Sequence, residues 1–316
     1  LAKNFSFSDF NDFSTGGDNV STGGDETVIT ADGAITQQMG TATGLTINGA
    51  LTLDAGASGA DIVLTHTANE IDGDVQILKA QNVEIVTKSA LHLVGADIAG
   101  DLTLTSEGQV YNLDSWTVGG NTVINAQGQD VILTADHDFI GTVTVYARNL
   151  TIHDTNDIEF NMLELTGNLS VVAGGSITST GKITVDGRTS LTSTDTSATT
   201  QIVLQHADNN FGKSVSTRMV SGGTVALNDI DGIQLGNSNI TGTLTVTAGG
   251  TITDTAAIKV TGDVSLTGTV ITLDAADTDV VGTLTVEATS GNVTLRDTNE
   301  LILGNVTATG DLKITT

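Results

Sequence analysis

Five histidines, 37 acidic residues and four arginines are the groups with which this 316-residue chain could do chemistry. His66, His137 and His206 stand in similar phrases, "LTHTAN", "LTADHDF" and "LQHADNN", which suggest one corner used three times; His92 and His153 stand apart. Imidazoles can ligate zinc, but only where donors converge at about 2 Å. Polysaccharide cleavage needs clustered carboxylates for acid/base work, or acidic calcium ligands with a basic residue to take the proton. Asp154, Asp229 and Asp297 instead share one recurring column, and Arg148, Arg188, Arg218 and Arg296 share none. Recurrence is what a structural role demands, whereas a catalyst is needed once. "GGDNVSTGGDETV" (16–28) has the glycine-aspartate turns of calcium-binding nonapeptide repeats, but its GGD triplets lie seven residues apart and the G-x-D element is missing. The expectation is therefore no catalytic, cofactor-binding or metal site, with Ca2+ on acidic turns as the alternative.

The elements that carry these residues repeat. "NVEIVTKSALHLVGADIAGDLTL" (82–104), "NLTIHDTNDIEFNMLELTGNLSV" (149–171), "TVALNDIDGIQLGNSNITGTLTV" (224–246) and "NVTLRDTNELILGNVTATGDLKI" (292–314) align without a gap, their starts 67, 75 and 68 residues apart. Val83, Leu150, Val225 and Val293 form one apolar column, and the single Trp116 falls in another with Leu45, Ile183 and Ile258. Trp116 is accordingly expected in the core. Within each unit of about 70 residues, sub-repeats of about 20–27 residues hold about three short runs in which apolar residues alternate with Thr, Ser, Asp or Asn. Period-two alternation means strands, and strand-only self-similarity at this period means a β-solenoid. The expected fold is all-β: a single β-solenoid with about three strands per coil. At a strand spacing of about 4.8 Å, about a dozen coils would give a rod on the order of 60 Å long. Residues one repeat apart would then lie three coils apart, about 14 Å, too far to share a zinc ion. The histidines are expected to be solvated corner residues.

The phrases "GTLTVTAGGTITDTAAIKVTG", "GNLSVVAGGSITSTGKITVDG" and "LNDIDGIQLGNSNITGTLTVTAGG" resemble the repeats of filamentous-haemagglutinin-type proteins. The resemblance runs over about residues 25–316. It implies a large secreted bacterial surface protein, commonly exported by two-partner secretion, whose repeats form a shaft, and it makes the expected solenoid a single right-handed parallel β-helix. The amino-terminal secretion domain of that family is not recognisable in this chain.

Composition narrows the function further. A formal charge of −26, with 11 Lys+Arg against 37 Asp+Glu, leaves no cationic cluster for nucleic acid or anionic lipid. Such acidity suits a solubility coat over strand flanks. The chain has no Cys and no Pro, so it has no disulfide or thiolate chemistry, and its backbone N–H groups are free to join ladders. No apolar run reaches the length of a membrane span. Residues 1–24 lie outside the recognised repeat and carry Phe5, Phe7, Phe10 and Phe13, expected either to cap the first coil or to bind a neighbouring subunit; residues 25–316 are expected to form the solenoid, open at its carboxyl end. The expected function is structural and extracellular: the shaft of an adhesin or the subunit of a head-to-tail filament, associating end to end, with a host or environmental glycan or surface as its candidate target. The alternative is a polysaccharide-binding or polysaccharide-cleaving β-helix protein.

Overall fold

Strands of two to nine residues stack on one another in a computed structural model that describes residues 26–37, 44–56, 59–126 and 128–316. Ahead of them it describes the strand backbones Asn4–Asp9, Phe13–Thr15 and Ser21–Thr22. Among the described residues the regular elements are all strands, and their pairings are parallel. The chain divides into two compact units, residues 1–155 and 156–316.

Alternation explains each strand. In Leu102–Ser106 the residues Leu102, Leu104 and Ser106 point inward and are buried, while Thr103 and Thr105 face outward. One coil cannot bury such side chains alone, because its interior has only two open ends; the coils above and below must close it. Parallel register therefore sets like on like. In residues 1–155, Leu64, Ile85, Leu104, Ile124 and Val145 are successive partners. In residues 156–316, Leu227, Val246, Leu266 and Val286 do the same. Each fully buried aliphatic contributes about 1.5–3 kcal/mol, so the columns hold the coils together.

Each coil has three strand segments, as the alternation implies. In 1–155 they lie in a first sheet (for example Glu26–Ala31 and Ala50–Asp54), a second sheet (Ile35–Gln37, Ile62–Leu64) and a short third sheet made by Ser21–Thr22, Thr46–Ile47 and Glu70–Ile71. In later coils the third segment continues the end of one of the two long sheets, as Trp116–Val118 does after Val110–Asn112. Segment 1–24 supplies strands to the same ladders, with Phe5 opposite Thr27 and Phe13 opposite Ile35.

The repeat is not a whole number of coils. Val83 pairs with Leu102, Leu102 with Thr122 and Thr122 with Val143, three full turns on the second sheet. Leu150, the equivalent of Val83, then falls on the first sheet, paired with Val131. In 156–316, Val225, Leu244, Val264 and Leu284 again make three turns on one sheet before Val293 appears on the other. A repeat is thus three coils and one strand segment of the next, and equivalent residues of successive repeats occupy different sheets. The spacing expected from whole coils is corrected accordingly. Glycine permits the close stacking at the corners: Gly242 has a φ of +143°, and a Cβ there would overlap the Gly223 carbonyl.

Candidate functional site

A solenoid corner leaves some backbone N–H groups pointing inward, off the ladder, and each needs an acceptor. Four buried polar residues, one per repeat, supply it. Leu45 N–H donates to Asn69 Oδ1 (2.8 Å), Trp116 N–H to His137 Nδ1 (2.9 Å), Ile183 N–H to Asn209 Oδ1 (2.8 Å) and Ile258 N–H to Thr278 Oγ1 (3.4 Å). Asn69, His137 and Asn209 have no solvent exposure and Thr278 has 1 %. About one coil later a second set does the same work. Thr87 Oγ1 accepts from Ile71 N–H, and Asp154, Asp229 and Asp297 accept through Oδ2 from the N–H groups of Phe139, Phe211 and Val280. The two sets stand where a repeat hands over to the next and the strands change sheets. In each repeat they form a buried polar seam.

This placement explains the aspartate column. Asp229 is 2 % exposed, and its other oxygen accepts the Asp231 N–H. Burial pushes its carboxyl above the usual range, and the two backbone donors pull partly the other way. Asp254, taking the N–H groups of Asp274 and Ala275, is raised by the same cause. Asp130 moves down, because the Arg148 guanidinium holds both its oxygens at 2.8 Å. On an outer corner Asp61, Asn82, Asp101 and Asn121 each take the backbone N–H of the residue one coil on, at Asn82, Asp101, Asn121 and Thr142. Part of the acidity is therefore backbone capping.

The histidines correct the expectation of three solvated corner residues. His66 and His206 are true equivalents: each accepts, through Nδ1, the N–H two residues on (Ala68, Asp208), and each precedes a seam asparagine by three. His137 is not in that column. It sits in the seam itself, its ring 5.1 Å from Trp116 and 5.4 Å from Phe139. Burial lowers its pKa to about 4, with His153 acting the same way and Asp136 and Asp114 opposing. His92 is buried too, with Nδ1 2.5 Å from Asp74 Oδ1 and its ring stacked on Tyr111 at 4.1 Å. Trp116 is fully buried, its Nε1–H given to the Leu93 carbonyl.

Of the proposed assembly residues, Phe5 and Phe7 lie in Asn4–Asp9, paired with Glu26–Ala31, and Phe13 lies in Phe13–Thr15. Phe10 lies outside the described residues, as does much of the GGD stretch, 16–20 and 23–25. Among the described residues, no three His, Asp or Glu side chains gather in a group able to hold a metal ion. A surface depression of about 420 Å³ is lined by the hydroxyls of Thr243, Thr245, Ser265, Thr283 and Thr285 with Asp263 as its carboxylate, and Asp263 Oδ1 already takes the Thr283 N–H. The polar seams escaped sequence reasoning because Asn, His and Thr alternate within one column.

A family model described as repeats of unknown function (DUF5649) matches residues 2–78, 80–146, 147–218, 222–287 and 290–316. No curated protein and no solved structure matches the chain.

Proposed function

We infer that this chain, which belongs to the DUF5649 repeat family, is a structural extracellular protein without catalysis: the shaft of a bacterial adhesin similar to filamentous haemagglutinin, or a filament subunit that associates end to end. The observation that carries this reading is the use made of the polar interior. Asn69, His137, Asn209 and Thr278, and then Asp154, Asp229 and Asp297, spend acceptor atoms on the coil's own N–H groups. Side chains consumed in this way hold a coil shut and are poorly placed to turn over a substrate. The outward Thr and Ser rows and the net charge of −26 suit a solvated surface that resists lateral association. Such a shaft needs no cofactor and works outside the cell, with a glycan or another surface as its target.

Electron microscopy of the purified chain tests the choice between shaft and subunit. Polymers many times the length of one chain support the filament, and short isolated rods support the shaft. Release of new reducing or unsaturated ends from acidic or neutral polysaccharides would overturn the non-catalytic reading.

A further inference from the structure

The first set of the seam contains one side chain that can change its role. Asn69, Asn209 and Thr278 present an oxygen that remains an acceptor at any ordinary pH, whereas His137 accepts through a nitrogen lone pair. With Nδ1 receiving the Trp116 N–H, the ring proton sits on Nε2, which is buried and has no hydrogen-bond partner among the described residues. A second proton would convert Nδ1 from acceptor to donor, set it against the Trp116 N–H, and place a cation where there is no solvent. The charged and titratable groups around the ring are Asp136 and Asp138 on its own strand, Asp114 in the coil before, and His153 and Asp154 on the strand Leu150–Asp154 that follows. Asp154 is the register partner of His137, but its Oδ2 is engaged by the Phe139 N–H.

We propose that His137 makes the coil of residues 131–147 an acid-operated joint: protonation of the imidazole releases the Trp116 N–H and opens that coil, while the corresponding corners built on Asn209 and Thr278 stay closed. The ring's depressed affinity for protons agrees with this geometry, since the unfolded imidazole takes up a proton at about pH 6.5 and the folded one only near 4. Between these values the open coil binds the proton and the closed coil does not. The contribution of this corner to stability is complete above about pH 6.5 and is lost as pH falls toward 4.

The chain carries its own reporter, because its single Trp is the residue that His137 holds. Urea unfolding of the full chain, followed by Trp116 fluorescence at steps from pH 7 to 4.5, is compared with His137→Asn, which installs the residue found at 69 and 209. The expected result is a urea midpoint that drops with pH in the wild type and is flat, or falls much less, in the variant. Parallel pH dependence in both proteins overturns the proposal. If the variant does not fold, imidazole NMR of the wild type decides: one ring of the five held in the neutral Nε2–H form and titrating near pH 4 supports the joint, and five rings titrating near 6.5 sink it.

Discussion

His137 in residues 1–155 and Asn209 in residues 156–316 hold the same place in the repeat, take the same kind of inward N–H and are equally buried, yet only His137 can gain a proton in that role. The second unit has its own titrating groups in Asp229 and Asp254, and these respond in the opposite sense. Their carboxyls are raised by burial, so the folded chain binds those protons before the unfolded chain does. They add stability as pH falls from the raised values toward about 4. The comparison teaches that a repeat column conserves a hydrogen-bond geometry and leaves the chemistry of the acceptor open. Two units built on one plan can then differ in what disturbs them.

The largest break in that symmetry comes from the core beside each seam. Trp116→Ala should cost about 3–5 kcal/mol in urea unfolding, against about 0.5–1.5 kcal/mol for Ile183→Val at the equivalent position. Hydrogen-exchange protection should fall around Val118 and Phe139 in the first case; equal losses from the two variants would contradict the packing described. Next in size, Asn209→Leu strands the Ile183 N–H and should destabilise by about 1–3 kcal/mol at every pH, measured by calorimetry.

Asn209→His is the sharpening experiment. It moves the joint into residues 156–316, and its stability relative to wild type should decline as pH falls below about 6.5; a constant difference between pH 7 and 4.5 would show that the corner alone does not confer acid sensitivity. Asp229→Asn should have a smaller and opposite effect, removing the gain in stability on acidification below neutrality while retaining an oxygen for the Phe211 N–H. Smallest of all, Arg148→Ala removes an exposed pair with Asp130 and should leave the urea midpoint unchanged within error at physiological salt.

Much of the fold was legible in the residues. Alternation in stretches such as Leu102–Ser106 and Leu169–Ala173 exposed the strands, glycines such as Gly120 and Gly242 marked the corners, and the column Asp154, Asp229, Asp297 signalled a structural task. The nature of that task was hidden. A buried carboxylate and a solvated turn former look alike in a linear chain, and Thr87 fills the same role without sharing their type. The histidines show the same limit. His66, His137 and His206 are 71 and 69 residues apart, but Asn69, His137 and Asn209 are 68 and 72 apart. With repeats of 67 to 75 residues, neither spacing excludes the other.

The sequence by itself determined that this chain is a parallel solenoid of short strands with aliphatic columns inside, because only neighbouring coils can bury what each coil exposes. Tertiary structure decided the phase. Coil steps of 19 to 21 residues, as from Val83 to Leu102, Thr122 and Val143, do not divide the repeat evenly, so the extra strand segment puts Val83 and Leu150 on different sheets. It also decided that His137, and not His66 or His206, takes the inward N–H at the seam. A side chain at a corner turns inward or outward according to which N–H its own turn leaves unpaired, and that depends on the strand stacked beneath it.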